Sequence, residues 1–199
     1  MLPTNHSAGT GQFELTVSTA SGILVLKPTI HSDQRGYFCE TYRRSEFEKF
    51  GIPFNFLQEN FSHSTFNTFR GLHLQYNKPQ GKLITVVYGK VLFYELDARP
   101  ASPHFGEIFM QEMSDVEHCM MWLPPGIANG FLVKSDVCGV SYKCTEYWDR
   151  NSEISIRCDS LDTDTYRPSP IISAKDRAGI SLQEWNDKYH SIFGSKNIF

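Results

Sequence analysis

Residues 58–84 read QENFSHSTFNTFRGLHLQYNKPQGKLI and contain two runs typical of β-strands, the first ending in RGLH and the second opening with QGKL. Because alternate side chains of a strand share a face, we expect His73 to point away from Arg70. Gly71 is expected on the face of His73, where it leaves open space. A histidine with Arg70 and Lys82 nearby in sequence suits removal of a proton next to a carbonyl, since cations stabilise the enolate.

Strand-like segments continue from residue 54 to residue 148. They are rich in β-branched and aromatic residues and are broken at short intervals by turn sequences such as Pro124-Pro125-Gly126. This spacing predicts an all-β sandwich or barrel of antiparallel strands. Short helices are predicted at 45–50 and 181–193, where apolar residues at helical spacing lie between an N-cap serine and a closing glycine.

The length of 199 residues suits a single domain with appendages. The polar segment 1–12 is predicted to be disordered. The main domain is expected at 13–180, and the last helix, within 181–199, is expected to pack on that same domain.

Composition excludes several classes of protein. A net charge of −3 argues against nucleic-acid binding, which normally needs a basic surface. No apolar run is long enough to span a membrane, and the N-terminus lacks a signal-peptide pattern. The five cysteines form no CxxC pair and are expected to be reduced, so the sequence predicts a cytoplasmic protein.

Eight segments carry a family resemblance by their order and rough spacing: HSDQRGYFCETY (31–42), QENFSHS (58–64), FRGLHLQ (69–75), QGKL (80–83), SPHFG (102–106), WLPPGIANGF (122–131), YKCTEYW (142–148) and ISAKDR (172–177). Together they resemble the dTDP-4-dehydrorhamnose 3,5-epimerase family. The resemblance implies a jelly roll of the cupin type and a cofactor-independent isomerase of a nucleotide-diphosphate sugar. It also implies a homodimer that exchanges N-terminal strands.

The resemblance assigns four catalytic roles. His73 is the base that removes a proton alpha to the C4 ketone, and Asp176 orients its imidazole. Tyr142 is the acid on the opposite face of the enolate, and Lys82 stabilises the enolate oxygen. Taken singly, each residue has a structural alternative: a core histidine, a helix cap or ion-pair partner, a barrel-lining tyrosine and a surface cation.

The resemblance also assigns the substrate-binding residues. Arg70 serves the enolate oxygen or the diphosphate, and Arg35 binds diphosphate through its planar fork. The resemblance implies that Glu40, Gln58 and Asn60 line the nucleotide end of the site. It also implies that Tyr147 and Trp148 stack on the base. For each of these residues, a purely structural or solvated role is the alternative.

A catalytic metal is not expected, although many cupins bind one. The metal pattern of that fold needs two histidines one residue apart, and no HxH occurs in this chain. Converging nitrogen and oxygen ligands are not visible in the sequence.

The chain departs from the family around the sugar. Relatives read PxGFAHGF where this chain reads PPGIANGF, so Asn129 replaces a histidine that faces the sugar. Asparagine keeps a donor and an acceptor but cannot carry a charge near neutral pH. Glu59 and Phe61 similarly replace an Asp and a His. The sequence therefore leaves open the sugar, the nucleotide (dTDP, CDP or GDP) and whether C3, C5 or both are inverted.

Two alternatives to the epimerase remain open at this stage. The first is a ketoisomerase that moves the carbonyl between C3 and C4, whose histidine motifs are absent here. The second is a non-catalytic protein that binds sugar nucleotides, for which Asn129 is the main support.

Overall fold

The computed structural model describes residues 11–53, 55–157 and 169–199. Residues 1–10, most of the segment predicted to be disordered, lie outside these ranges.

The described strands are β1 (Phe13–Ser18), β2 (Leu24–Pro28), β3 (Ile30–Asp33), β4 (Gly36–Cys39), β5 (Gln58–Thr65), β6 (Thr68–Gln75), β7 (Lys82–Tyr88), β8 (Lys90–Asp97), β9 (Ile108–Ser114), β10 (Met120–Leu123), β11 (Ile127–Val133), β12 (Val137–Cys144), β13 (Glu153–Ser155) and β14 (Ile171–Ile172). The described helices are α1 (Arg44–Phe47), a 3-10 turn at Glu48–Phe50, α2 (Ala174–Arg177) and α3 (Leu182–Phe193).

Two large sheets contain most of the strands. Sheet I has the order β1-β2-β10-β7-β12-β5, and sheet II has the order β13-β6-β11-β8-β9. Pairing within these two orders is antiparallel throughout, and β14 adds to β6 in parallel. Strands β3 and β4 form a separate hairpin. The prediction of an all-β jelly roll is confirmed.

The core lies between the sheets, and a second apolar layer covers the back of sheet II. On β8, Val91 and Phe93 belong to the cluster between the sheets, whereas Tyr94 and Leu96 pack with Trp185 of α3. The period of two along the strand thus supplies both layers. Helix α3 begins at a capping box formed by Ser181 with Glu184, as its N-cap serine predicted.

A bulge in β6 overturns the prediction that Arg70 and His73 point to opposite faces. His73 pairs with Asn129 on β11, but Arg70 pairs with Phe131, so β6 carries an extra residue between the two pairs. The extra residue brings Arg70 to the face of His73. The open space expected beside His73 is also absent, because a Cβ on Gly71 would lie 2.5 Å from the Cα of Gly130. Glycine is required there by this close approach and by its φ of +121°.

Candidate active site

A cavity of about 470 Å³ opens between the two sheets. Sheet I and the loops beside it contribute Gln58, Asn60, Ser62, Gln80, Lys82, Tyr142, Tyr147 and Trp148. Sheet II contributes Arg70, His73, Asn129, Phe131 and Glu153. The cavity therefore collects, from distant parts of the sequence, most of the residues singled out above.

His73 projects from β6 into this cavity and is held from behind by Asp176. The Nε2 atom of His73 lies 2.7 Å from Oδ1 of Asp176, and 28% of the His73 side chain is exposed. An ionised carboxylate only accepts hydrogen bonds, so Nε2 carries the proton and Nδ1 carries the lone pair. Nδ1 has no hydrogen-bond partner among the described residues and is the basic atom of the site.

Asp176 is fixed by groups from two elements. It lies in the first turn of α2, and its backbone N–H donates to the hydroxyl of the N-cap residue Ser173. The Ser155 hydroxyl, on β13, donates to Oδ1 of Asp176 at 3.1 Å. Burial alone would raise the pKa of Asp176, but the hydrogen bond and charge of His73 and the two hydroxyls outweigh it and lower the pKa. Asp176 is thus an anion that orients the imidazole.

Tyr142 stands on β12 in sheet I, across the cavity from His73. Burial raises the pKa of its phenol above the ordinary value, and the neighbouring Cys144 and Glu153 raise it further. The phenol therefore stays protonated at neutral pH and is able to donate a proton. The cavity places a base on one wall and a proton donor on the other.

Lys82 opens β7, and only 8% of the residue is exposed. Its Nζ lies 3.5 Å from the backbone oxygen of His73. Burial lowers the pKa of this ammonium group, and the nearby acidic groups offset that effect only in part. A poorly solvated cation beside the base is well placed to stabilise negative charge that develops in the cavity.

Arg70 lies where this cavity meets a second one of about 520 Å³. Its Nε donates to the Ser64 hydroxyl at 2.8 Å, and its Nη2 donates to the backbone oxygen of His63 at 3.2 Å. Lys175, which also lines the second cavity, adds a further cation, whose ammonium is paired with the carboxylate of Glu153. The two cations make this junction suitable for an anionic group.

The mouth of the first cavity is shaped by a short network. Gln58 donates to the side-chain oxygen of Asn60 at 2.9 Å and accepts from the backbone N–H of Trp148 at 2.9 Å. These bonds fix the loop that carries Tyr147 and Trp148, of which 64% and 52% are exposed. Two exposed aromatic rings beside amide side chains form a surface suitable for stacking a planar ring.

Asn129 faces the cavity from β11 and is paired with a residue that the sequence analysis did not single out. Its Nδ2 donates to Oε1 of Glu95 at 2.6 Å. Glu95 is completely buried, and burial raises the pKa of its carboxyl well above the ordinary value. The signal was present in the sequence, since Glu95 is a lone acid in the apolar run VLFYEL of β8.

Arg35 and Glu40 are not brought to either cavity. The guanidinium of Arg35, at the tip of the β3–β4 hairpin, is bound to Asp33, and 85% of its side chain is exposed. Glu40 is bound to Arg43. Within one copy of the chain, neither residue lines the cavity with His73.

Other residues at the site also escaped the sequence analysis. Ser155 and Ser173 support Asp176, and Glu153 lines the main cavity and pairs with Lys175. Only Ser173 had a sequence signal, as an N-cap before AKDR. Ser155 and Glu153 come to the site because β13 pairs with β6, and the pattern of residues along a single strand does not reveal which strands pair.

No metal site is visible in the part of the chain that the structure describes. No three His, Cys, Asp or Glu side chains converge there as a metal site. Cys39, Cys119, Cys138 and Cys144 are free thiols. Among the described helices, none is long and apolar enough to cross a membrane.

Comparison with known proteins gives one consistent family. The family model for dTDP-4-dehydrorhamnose 3,5-epimerase matches residues 18–184. The dTDP-4-dehydrorhamnose 3,5-epimerase of Methanothermobacter thermautotrophicus is 36% identical over 178 residues, which cover 87% of this chain and 96% of that protein.

Solved structures agree. A dTDP-6-deoxy-D-glucose-3,5-epimerase from Legionella pneumophila, in complex with dTDP-4-keto-L-rhamnose, is 35% identical with a TM-score of 0.79 and covers 83% of this chain and 91% of that one. A dTDP-4-dehydrorhamnose 3,5-epimerase from Elizabethkingia anophelis is 32% identical with a TM-score of 0.82 and covers 88% of this chain and 100% of that one.

Proposed function

This chain belongs to the dTDP-4-dehydrorhamnose 3,5-epimerase family, and we propose that it inverts C3, C5 or both of a nucleotide-diphosphate-linked 4-keto hexose. It is an isomerase of the epimerase class. The observation that carries the proposal is the placement of His73 and Tyr142 on opposite sheets around one cavity. Epimerisation needs this arrangement, since a single group would return the proton to the face it came from.

In the first step, Nδ1 of His73 takes the proton from the carbon alpha to the C4 ketone. The electron pair of the C–H bond moves onto the C4 oxygen, which becomes an enolate. Asp176 holds the proton on Nε2 and stabilises the imidazolium that forms. Lys82 stabilises the enolate oxygen.

In the second step, the enolate collapses and the phenol of Tyr142 delivers a proton to the opposite face of the carbon. The ketone is restored with inverted configuration, and a phenolate and an imidazolium remain. Exchange with solvent returns the proton from His73 and supplies one to Tyr142. No oxidant or reductant is consumed, so this sequence of steps balances without a cofactor.

The nucleotide and diphosphate are assigned to the remaining residues of the cavities. Arg70 and Lys175 bind the diphosphate at the junction between the cavities. Gln58, Asn60, Tyr147 and Trp148 bind the base at the mouth of the main cavity. The Legionella relative was crystallised with a dTDP-sugar, which makes dTDP the first nucleotide to test.

A homodimer in the cytoplasm is part of the proposal. The β3–β4 hairpin belongs to neither large sheet, and it exposes 60% of Tyr37 and 68% of Phe38. Exposed aromatic rings on a hairpin are typical of a protein contact surface. If this hairpin docks onto a second copy of the chain, Arg35 and Glu40 would be able to reach the cavity of that copy. Light scattering should give twice the chain mass, and Tyr37→Ser with Phe38→Ser should lower it to one chain mass.

The function is tested by incubation in D₂O with 4-keto-6-deoxy hexoses linked to dTDP, CDP or GDP, read by proton NMR. The proposal predicts deuterium at C3, C5 or both, and new signals of the inverted sugar. Binding without exchange would indicate a non-catalytic protein. A shift of the ketone from C4 to C3 would indicate a ketoisomerase, and either result would overturn the proposal.

A further inference from the structure

Glu95 interrupts an otherwise apolar surface between the sheets. On the inner face of β8 it follows Val91 and Phe93, both fully buried in the cluster between the sheets. Its neighbour on β9 in the same register is Phe109, which packs against that cluster. A carboxyl in such surroundings costs stability unless it is neutral or well paired. Its presence there points to a role other than packing.

Among the described residues, the only hydrogen-bond partner of this carboxyl is the amide of Asn129, and the charge of Lys82 also acts on it. Oε1 accepts from Nδ2 of Asn129 at 2.6 Å, and Oε2 is buried without a hydrogen-bond partner among the described residues. Burial raises the pKa of Glu95 well above the ordinary value, and the hydrogen bond from Asn129 and the charge of Lys82 offset that rise only in part, so the neutral form is favoured more than in an ordinary carboxyl. Glu95 does not itself line the cavity; Asn129 does.

The strand register places this pair directly beside the base. Asn129 is opposite His73 on one side and opposite Glu95 on the other. Opposed residues in an antiparallel pair have Cβ atoms about 5 Å apart, so His73 and Asn129 reach adjacent atoms of one bound molecule. The Oδ1 atom of Asn129 has no hydrogen-bond partner in the described ranges and remains available to a ligand.

We propose that Glu95 is a positioning residue, which holds Nδ2 of Asn129 so that Oδ1 accepts a hydrogen bond from a sugar hydroxyl next to the carbon that His73 deprotonates. The inference rests on the proposed epimerase function and narrows its substrate class. In a 6-deoxy hexose, C5 is bonded to the C4 ketone, the ring oxygen and a methyl group, none of which donates a hydrogen bond. The hydroxyls at C2 and C3 do donate, so the site selects a 4-keto hexose that retains them and favours reaction at C3.

The test compares Glu95→Leu, Glu95→Gln, Asn129→Ala and the double variant Glu95→Leu/Asn129→Ala by steady-state kinetics. Leucine removes the acceptor, whereas glutamine retains one. Loss of one neutral hydrogen bond corresponds to a change of about tenfold in binding. Glu95→Leu should therefore raise KM about tenfold with kcat changed less than about threefold, and Glu95→Gln should restore KM to within about threefold of the wild-type value.

The double variant separates positioning from packing. If Glu95 acts through Asn129, the double variant should have the KM of Asn129→Ala alone, because the second substitution removes a partner already lost. Leu96→Ala is the matched control, since Leu96 is buried on the opposite face of the same strand. It should lower the melting temperature and leave KM unchanged.

Substrate analogues complete the test. The rise in KM on Glu95→Leu should disappear for the 2-deoxy or the 3-deoxy sugar, which lacks the hydroxyl concerned. KM is read here from deuterium exchange, because C3 of a 3-deoxy sugar has no configuration to invert. The inference is overturned if KM of Glu95→Leu equals that of wild type, if the effects of the two single substitutions multiply, or if both analogues show the full rise. In these cases the wild-type protein still exchanges deuterium. Absence of any exchange in the wild type would instead overturn the proposed function and this inference with it.

Discussion

The two walls of the cavity hold their polar groups in different ways. On sheet II, the side chains of His73 and Asn129 are each backed by a carboxyl, that of Asp176 for His73 and that of Glu95 for Asn129. On sheet I and within the described residues, the one hydrogen bond of the Lys82 ammonium goes to the backbone oxygen of His73, and Tyr142 makes no side-chain hydrogen bond. His73 and Asn129 are thus held by hydrogen bonds to carboxyls, whereas burial dominates the surroundings of Lys82 and Tyr142.

This difference matches the tasks of the two walls. A base must present one particular nitrogen, so its tautomer has to be fixed by a partner. A proton donor must stay protonated until the enolate forms, and burial that raises the pKa of Tyr142 achieves this without a partner. Substitutions that remove a carboxyl partner should therefore impair the function of His73 and Asn129 on sheet II. Substitutions that change the polarity around Lys82 and Tyr142 should impair the function of sheet I.

The largest effect is expected from removal of the base itself. His73→Ala should lower the rate of deuterium exchange by up to about 10⁴-fold, the upper range for general base catalysis. His104→Ala is the matched control, because His104 lies outside both cavities and is paired with Glu107. Exchange at a near wild-type rate in His73→Ala would show that His73 is not the base. The base would then not lie on sheet II, and the two walls would not differ in the way described.

Loss of the carboxyl behind the base should come next. Asp176→Asn keeps the shape, but its amide donates to Nε2 and so moves the imidazole proton to Nδ1, the atom that must be basic. We expect a loss of about 10³-fold in kcat with little change in KM. A kcat within threefold of wild type would mean that the imidazole needs no orienting partner.

Lys82→Met sharpens the contrast because rate and stability should move in opposite directions. Removal of the cation should lower kcat/KM about 10²-fold, because the enolate oxygen then loses the positive charge that stabilises it. The melting temperature should rise, since burial that lowers the pKa of Lys82 also makes the charged group costly to the fold. A fall in melting temperature would show that Lys82 is held by structural pairing, as on the other wall.

The smallest effect concerns the stability cost of Glu95. Its folded-state pKa is raised, so above the unfolded value of about 4.3 the native state keeps a proton that the unfolded chain has lost. Stability of the wild type should then fall as pH rises through this window, by at most about 1.4 kcal/mol per pH unit. Glu95→Gln does not titrate, so its advantage in melting temperature should grow from pH 5 to pH 8. A constant difference would mean that Glu95 is ionised in the fold.

The sequence predicted the fold well where local patterns decide it. Alternation and turns gave the all-β class, and Ser181 with Gly194 marked the ends of α3. The face of Arg70 was predicted wrongly, because a bulge set by contact of Gly71 with the β11 backbone shifts the register. That contact joins strands far apart in the chain, so the alternation of residues along β6 alone does not predict it.

The site was predictable only in part. Family motifs named His73, Asp176, Tyr142 and Lys82, although motifs alone do not place them on opposing sheets. Arg35 and Glu40 carried the same motif evidence and yet lie away from the cavity within one chain. Glu95 was missed because the motifs of the family do not include it, and its importance depends on burial, which only the packed sheets supply.

The central claim is that deprotonation belongs to sheet II and reprotonation to sheet I, and Tyr142→Phe in D₂O tests it most directly. Tyr76→Phe, beneath α3, is the control. In Tyr142→Phe we predict that deuterium still enters the carbon alpha to the ketone while inverted sugar falls at least about 10²-fold, since His73 then returns deuterium to the original face. Loss of exchange together with inversion, or inversion at the wild-type rate, would contradict the account.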